Sequence, residues 1–138
     1  LMAVEQRAGG AALIKANAER LGVRPAAVLE ANAIDLLRGE LPVEIPQDLQ
    51  KPNRVLVGGG GRQRNTLLQL VLERLEPTGI VVVPLATMES LSGVRRILED
   101  ANMTIRINQL QAWRGQPLSD GTRLVPMNPI LTVSGTKS

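Results

Sequence analysis

A run of four glycines at positions 58–61 is the part of the sequence best suited to holding a ligand. It follows the segment Arg-Val-Leu-Val at 54–57, whose three apolar residues predict a strand that leads directly into a loop. Glycine lets a ligand approach the backbone closely, and a helix after such a loop presents amide donors to an anion. Four glycines exceed what a tight turn needs, because each adds conformational entropy that folding must offset. The run therefore predicts one wall of a ligand pocket, and a plain strand-to-helix turn is the alternative.

Two nucleotide-binding motifs do not fit this run. In a G-x-G-x-x-G fingerprint that starts at Gly58, the last glycine would fall on Gln63. A phosphate-binding P-loop requires Gly-Lys-Ser/Thr, which does not follow the glycines. The loop is therefore neither a dinucleotide fingerprint nor a P-loop.

Glu5 is a second candidate, because it ends a short apolar run at 1–4 that predicts a strand. In nucleotide-binding α/β folds, a carboxylate at the end of a strand can accept hydrogen bonds from both ribose hydroxyls. A solvated carboxylate at a strand end is the alternative interpretation.

Basic residues concentrate in the second part of the chain. Residues 1–53 carry six basic and seven acidic side chains (net −1), whereas residues 54–138 carry ten and six (net +4). Nearly all of the basic residues in 54–138 are Arg, whose guanidinium can form bidentate pairs with a carboxylate or a phosphate. Arg62 and Arg64 flank the glycine run, and Arg114, Thr122 and Arg123 lie near a predicted hairpin loop. These residues could line an anionic site, and scattered solvated charges are the alternative.

The composition excludes several kinds of chemistry. Without Cys or His there is no thiol nucleophile, imidazole base, disulfide framework or zinc cluster, and we expect no metal site. A single aromatic residue, Trp113, offers almost nothing for base stacking, which argues against nucleic acid as a partner. The longest apolar run, 80–86, is too short to cross a bilayer, and the N-terminus lacks a signal-peptide pattern. These features favour a soluble, cytoplasmic protein.

Alternating strands and helices would position these residues. Apolar periodicity, helix caps at Thr87 and Gly22, and turn residues predict the following elements. Strands are expected at 1–4, 26–29, 54–57 and 80–85, and helices at 7–21, 33–38, 63–75 and 88–101. Two long strands then follow, about 103–112 and 122–134, with a loop at 115–121 and a register shift near residue 110.

This order predicts an α/β fold of the Rossmann-like type, with a mostly parallel sheet, helices on both faces and a C-terminal antiparallel hairpin at one edge. The Val-rich segment 80–85 is typical of a strand covered on both faces. In such sheets ligands bind beyond the carboxyl ends of the strands. The expected positions are therefore Glu5, Asn32, the glycine run and Thr87.

Several segments together resemble a known family. They are Val-Leu-Val-Gly-Gly-Gly-Gly-Arg at 55–62, Gly-Thr-Arg-Leu at 121–124 and Asn-Pro-Ile-Leu-Thr-Val-Ser-Gly-Thr-Lys at 128–137. The chain resembles the decarboxylating precorrin-6B methyltransferases of cobalamin biosynthesis, which occur alone or as the C-terminal half of a fused C5,15 enzyme. The resemblance covers essentially the whole chain.

The resemblance implies a class I methyltransferase that uses S-adenosyl-L-methionine, methylates C15 of a tetrapyrrole and releases CO2 from the acetate at C12. It implies cofactor contacts from Glu5, Asn32, Ala33, Gly58 and Gly59. It implies substrate contacts from Gly60, Gly61, Arg62, Arg64, Thr122 and Arg123. It also implies a homo-oligomer, by family a tetramer, with no nucleic-acid or membrane partner.

The sequence departs from the family in one respect. Family members begin the fold with a strand and an Asp-x-Gly-x-Gly-x-Gly loop, and that strand lies between the second and fourth strands. Here Leu1 starts at the second strand, so we expect residues 1–138 to form one methyltransferase domain that is incomplete at its N-terminus and lacks the first strand and its loop. The alternative function is a catalytically inactive methyltransferase-like binding or assembly module.

Overall fold

The computed structural model describes residues 1–59 and 61–138. Its first part contains two parallel strands and two helices: β1 (Met2–Glu5), α1 (Gly10–Arg20), β2 (Ala27–Glu30) and α2 (Ala33–Arg38). The register pairs Glu5 with Glu30, so the carboxyl ends of both strands lie at the same edge. A short 3₁₀ helix, Gln47–Leu49, lies in the proline-containing loop that follows.

The second part contains the remaining elements: β3 (Arg54–Leu56), α3 (Arg64–Arg74), β4 (Ile80–Leu85), α4 (Met88–Asp100), β5 (Thr104–Leu110), β6 (Trp113–Leu118), β7 (Gly121–Pro126) and β8 (Ile130–Thr136). A four-stranded sheet has the order β3-β4-β8-β5, in which β8 is antiparallel to both neighbours. β6 and β7 form a separate hairpin. The predicted α/β class, with parallel β-α units and antiparallel C-terminal strands, is confirmed, although β8 lies inside the sheet rather than at its edge.

The main core lies between α3, α4 and one face of the four-stranded sheet. Side chains that share this core and are almost fully buried are Leu68, Val81, Val83, Leu85, Val94, Leu98 and Val133. Along β4 the buried residues alternate with half-buried ones, so the expectation that both faces are covered is wrong for the second face. The reason is that α3 and α4 both pack on the face that carries Val81 and Val83.

The two parts meet through α2 and α3. Leu37 of α2 packs against the main core, and the Arg74 guanidinium of α3 donates a hydrogen bond to the Leu37 carbonyl. This contact fixes the last turn of α2 against the second part of the chain.

The C-terminal hairpin differs from the prediction. Residues expected to form a loop at 115–121 mostly belong to β6, which continues to Leu118 and turns through Ser119 and Asp120. Ser119 and Asp120 form the two-residue turn of this hairpin, and Gly115 and Pro117 do not break β6 because they pair with Leu124 and Thr122 of β7. The expected bulge or register shift within one long strand is wrong, since β5 ends before Gln111 and Ala112 and β6 pairs with β7 in a separate sheet.

Each of β1 and β3 has a strand partner on one side only in the described part of the chain, and they belong to different sheets. Val57 donates its amide to the Val82 carbonyl, at 2.9 Å, which places that N–H on the β4 side. Backbone groups alternate along a strand, so the Leu56 amide faces the other edge of β3. Among the described residues, no helix is long and apolar enough to span a membrane.

Leu68→Ala tests the core. Leu68 is completely buried in the middle of α3, so its truncation should lower the free energy of unfolding by about 2–5 kcal/mol. Leu13→Ala is the matched control, because Leu13 lies in the middle of α1 and is 64% exposed. It should change stability by no more than about 0.5 kcal/mol in urea unfolding. Equal losses in the two variants would contradict the assigned core.

Candidate functional site

The predicted cofactor residues lie at the carboxyl ends of successive strands. Glu5 ends β1, Asn32 and Ala33 follow β2, and Gly58 and Gly59 follow β3. Gly60 lies outside the described residues. Glu5, Asn32 and Ala33 thus lie at the carboxyl edge of the β1-β2 sheet, and Gly58 and Gly59 lie at the carboxyl edge of the β3-β4 pair. Ligands of α/β folds bind at such edges.

Glu5 is held by Arg7. Its Oε1 accepts hydrogen bonds from the Arg7 backbone N–H (3.0 Å) and Nε (3.2 Å), and its Oε2 accepts one from Nη2 (2.9 Å). The Arg7 side-chain hydrogen bonds, followed by its backbone hydrogen bond, lower the pKa of Glu5 from 4.5 to about 2. Glu5 is therefore a carboxylate at neutral pH. The Arg7 side chain is 82% exposed, so it can be displaced at little cost.

Gly10 and Glu30 complete the surroundings of Glu5, and the sequence analysis missed both. A Cβ added to Gly10 would lie 2.3 Å from Cγ of Glu5, so only glycine allows that side chain to cross the start of α1. Oε2 of Glu30 accepts a hydrogen bond from the Gly9 amide at 3.0 Å, which ties the end of β2 to the loop after β1. The pair Gly9-Gly10, which begins four residues after the strand-end carboxylate Glu5, was the available sequence signal for Gly10.

Asn32 has a structural role that the sequence analysis did not assign. Its Oδ1 accepts a hydrogen bond from the Ile34 amide at 2.9 Å, so Asn32 is the N-cap of α2. This cap orients the Asn32 side chain at the end of β2 and leaves its amide nitrogen as the group available to a ligand.

Within the glycine run at 58–61, hereafter the glycine segment, Gly58 and Gly59 face open space on the side where a side chain would lie. A Cβ added at Gly58 or Gly59 would meet no described atom within 4 Å, and neither residue has a positive φ. Only Gly61 among the described glycines of this segment has a left-handed conformation, with φ +46°. Neither packing within the chain nor backbone conformation therefore requires glycine at 58 or 59.

The arginines near this segment differ in their surroundings. Arg62 is exposed in the 3₁₀ helix Gly61–Gln63. Arg64 is half-buried, and it donates from Nε to the Gly59 carbonyl (3.1 Å) and from Nη1 to Oγ of Ser90 (3.0 Å). Arg62 thus remains available to an anion, whereas the Arg64 guanidinium is engaged within the chain.

Thr122 and Arg123 lie in β7, where neighbouring side chains point to opposite faces of the hairpin. Their side chains therefore lie on opposite faces of the hairpin. The Arg123 guanidinium donates twice to Oε1 of Gln116, at 3.1 and 2.8 Å, on the face that also carries Arg114. No described hydrogen bond links either residue to the glycine segment.

Two surface depressions do not coincide with the strand ends. One, of about 340 Å³, lies on the hairpin and is lined partly by Arg114, Gln116 and Met127. The other, of about 310 Å³, lies between the loop before β3 and the end of α3. Neither includes a predicted cofactor residue. Among the described residues, no group of three or more acidic side chains is placed to hold a metal ion.

Solved structures with the same arrangement define the fold class. The precorrin 8W decarboxylase of Methanobacterium thermoautotrophicum matches with a TM-score of 0.81 and 22% identity, over 97% of this chain and 68% of that one. The precorrin-6y C5,15-methyltransferase of Geobacter metallireducens matches with a TM-score of 0.80 and 23% identity, over 99% of this chain and 67% of that one. The fold is that of the class I methyltransferases.

The sequence comparison is more specific. The family described as "Precorrin methyltransferase domain" matches residues 1–137, so the chain belongs to this family. A probable cobalt-precorrin-6B C(15)-methyltransferase (decarboxylating) from Pyrobaculum calidifontis is 32% identical over 122 residues. That match covers 88% of this chain and 58% of the relative, so the chain spans little more than half the length of this curated relative.

Arg7→Met tests the electrostatics at Glu5. Losing the guanidinium should raise the Glu5 pKa from about 2 toward 4.5, and the remaining backbone hydrogen bond should keep it somewhat lower than 4.5. Because the pKa is depressed on folding, Glu5 stabilises the native state above about pH 4.5, and this contribution is lost as the pH falls toward 2.

Carboxyl-carbon NMR titration of Glu5 measures this effect. Arg95→Met removes a different ion pair, that with Glu99 on α4, and should leave the Glu5 pKa unchanged. A Glu5 carboxyl that titrates near 4.5 in the unsubstituted chain would contradict the assignment.

Proposed function

We propose that the full protein containing this chain is a cytoplasmic C-methyltransferase that uses S-adenosyl-L-methionine. In this proposal its substrate is precorrin-6B, and the reaction combines methylation at C15 with decarboxylation of the C12 acetate in cobalamin biosynthesis. Membership of the precorrin methyltransferase family supports the reaction class. The names of the matched relatives support the choice of substrate.

The open backbone at Gly58 and Gly59 is the observation that carries the proposal. Glycine costs conformational entropy on folding, yet nothing in the described chain requires it at these two positions. A ligand that lies against the backbone there supplies the missing reason. The position directly after β3, at a carboxyl strand end, is where an α/β fold binds ligands.

The residues present fit the proposed cofactor. Glu5, with its low pKa, would accept hydrogen bonds from the ribose hydroxyls after the exposed Arg7 side chain is displaced. Asn32 and Ala33 would border the adenine, where the Asn32 side-chain amide can donate to a ring nitrogen. Gly58 and Gly59 would adjoin the reacting end. When bound, S-adenosylmethionine supplies an electrophilic methyl group on a good leaving group.

The substrate side of the site would be cationic. Precorrins carry several carboxylates, which suits a part of the chain with a net charge of +4. We assign Arg62, together with Gly60 and Gly61, to the edge of the glycine run, and Arg123 to the Arg114 face of the hairpin. Thr122 lies on the opposite face and would contact substrate only from there. Arg64 was also expected to contact substrate, but we do not assign it there because its guanidinium donates to Gly59 and Ser90 within the chain.

Positioning would account for most of the rate. Methyl transfer between two held partners is an in-line displacement, and orientation alone can contribute roughly 7–11 kcal/mol to lowering the barrier. Such a reaction requires neither a thiol nor an imidazole, which agrees with the absence of Cys and His. The side chains of the site would bind, orient and exclude water.

We further propose that residues 1–138 form one domain completed by a parallel strand between β1 and β3. Both strands have a free edge in the described part of the chain, and free edges carry unpaired N–H and C=O groups. A strand paired with both would join the two sheets into one. It would also bring Glu5 and the glycine segment to the same continuous edge.

A homo-oligomer, by family resemblance a tetramer, is the proposed assembly. The face of the hairpin opposite Arg123 carries Trp113, Leu124 and Pro117, and the first two are 54% and 71% exposed. A two-stranded hairpin is marginally stable without cover on its apolar face, so a second copy would supply that cover. A monomer at micromolar concentration in analytical ultracentrifugation would contradict this assembly.

The direct test is transfer of an isotope-labelled methyl group to precorrin-6B by the full product of the gene. The expected result is one added methyl group with release of CO2. Gly58→Ala should reduce S-adenosylhomocysteine binding on the order of tenfold without lowering stability, because its Cβ occupies the proposed ligand space and clashes with no described atom.

Gly121→Ala is the matched control for Gly58→Ala. It also places a Cβ where no described atom lies within 4 Å and where φ is not positive, but in the hairpin, so it should not affect cofactor binding. Absence of methyl transfer would refute the enzymatic proposal. If S-adenosylhomocysteine also failed to bind, the inactive binding or assembly module would replace it.

A further inference from the structure

Arg64 forms hydrogen bonds with the segment that follows β3 and with the segment that follows β4. From the first turn of α3, its Nε donates to the Gly59 carbonyl after β3, at 3.1 Å. Its Nη1 donates to Oγ of Ser90 in the first turn of α4, after β4, at 3.0 Å. Both donors belong to one planar guanidinium, so the two partners are held in a fixed relative orientation.

Ser90 is itself held in place. Its Oγ accepts a hydrogen bond from the Thr87 hydroxyl at 3.0 Å, and its amide donates to Oγ1 of Thr87 at 3.2 Å. Thr87 is the N-cap of α4. The chain of contacts therefore runs from the cap of α4 through Ser90 and Arg64 to the glycine segment.

The two helices approach closely beside this chain of contacts. A Cβ added at Gly93, one turn beyond Ser90, would lie 3.2 Å from Nδ2 of Asn65. Asn65 follows Arg64 directly, so Gly93 allows the first turn of α3 to lie against α4. The Arg64 bridge is thus supported by helix packing as well as by hydrogen bonds.

We propose that Arg64 is a positioning residue that, through Ser90, orders the glycine segment for ligand binding. This inference rests on the proposed function, and it gives Arg64 a role other than the expected substrate contact. Glycine loses more conformational freedom on ordering than any other residue. A segment already fixed at the Gly59 carbonyl loses less freedom when a ligand binds, so the ligand binds more tightly.

Three variants of the full gene product test the role. Arg64→Met removes both hydrogen bonds of the guanidinium. Ser90→Ala removes only the hydrogen bond between Arg64 and residue 90, and Ser90→Thr retains a hydroxyl acceptor there. The ¹⁵N order parameters of the Gly58, Gly59 and Gly61 amides, measured without ligand, should fall in the first two variants and recover in Ser90→Thr. S-adenosylhomocysteine binding should weaken by about two- to tenfold in the same two variants.

A double-mutant cycle separates positioning from substrate contact. If Arg64 acts through Ser90, the double variant Arg64→Met, Ser90→Ala should bind S-adenosylhomocysteine no more weakly than Arg64→Met alone. Arg96→Met, on the exposed side of α4, is the matched control and should change none of these quantities. If Ser90→Ala leaves the order parameters and cofactor affinity unchanged while Arg64→Met weakens only precorrin binding, Arg64 is a substrate ligand and the proposal is wrong.

The order parameters also separate this proposal from the proposed function. They require no ligand, so a fall in both variants would support the positioning role even if the unsubstituted protein transferred no methyl group. Unchanged order parameters in an enzyme with normal methyl transfer would overturn the positioning role alone.

Discussion

The parallel pairing of β3 with β4 is the interaction on which the second part of the molecule depends. β4 contributes Val81, Val83 and Leu85 to the core and pairs with β3 on one side and β8 on the other. Because β3 and β4 run in the same direction, their carboxyl ends lie side by side. This arrangement brings the Gly59 carbonyl and the Ser90 hydroxyl within reach of the Arg64 guanidinium.

Electrostatics divide the candidate site into two regions. Around Glu5, a carboxylate with a strongly lowered pKa is paired with an exposed and exchangeable arginine, which suits a neutral, hydroxyl-bearing ligand group. Around the glycine segment and on one face of the hairpin, Arg62, Arg114 and Arg123 provide positive charge. The opposite hairpin face is largely apolar and also carries Thr122, so the proposed second copy and the proposed Thr122 contact with substrate would share that face.

The sequence predicted elements that depend on local signals and missed features that depend on distant contacts. Helix α2 was predicted with its observed bounds, and the cap at Thr87 was correct, because caps and apolar periodicity are local. The β6 strand was missed because Gly115 and Pro117 look like loop residues until a paired strand is known. Gly10 was missed and Arg64 was predicted only as a substrate contact, since their contacts with Glu5 and Ser90 depend on the positions of those residues in space.

The central claim is that one ligand site spans both sheets, which requires a further strand between β1 and β3. Hydrogen exchange at two adjacent amides tests it most directly. Val57 donates to the Val82 carbonyl and should be protected both in residues 1–138 and in the full gene product. The Leu56 amide faces the free edge, so the account predicts rapid exchange in residues 1–138 and protection in the full product. Leu56 exchange that stays rapid in the full product, or is already slow in residues 1–138, would contradict the account.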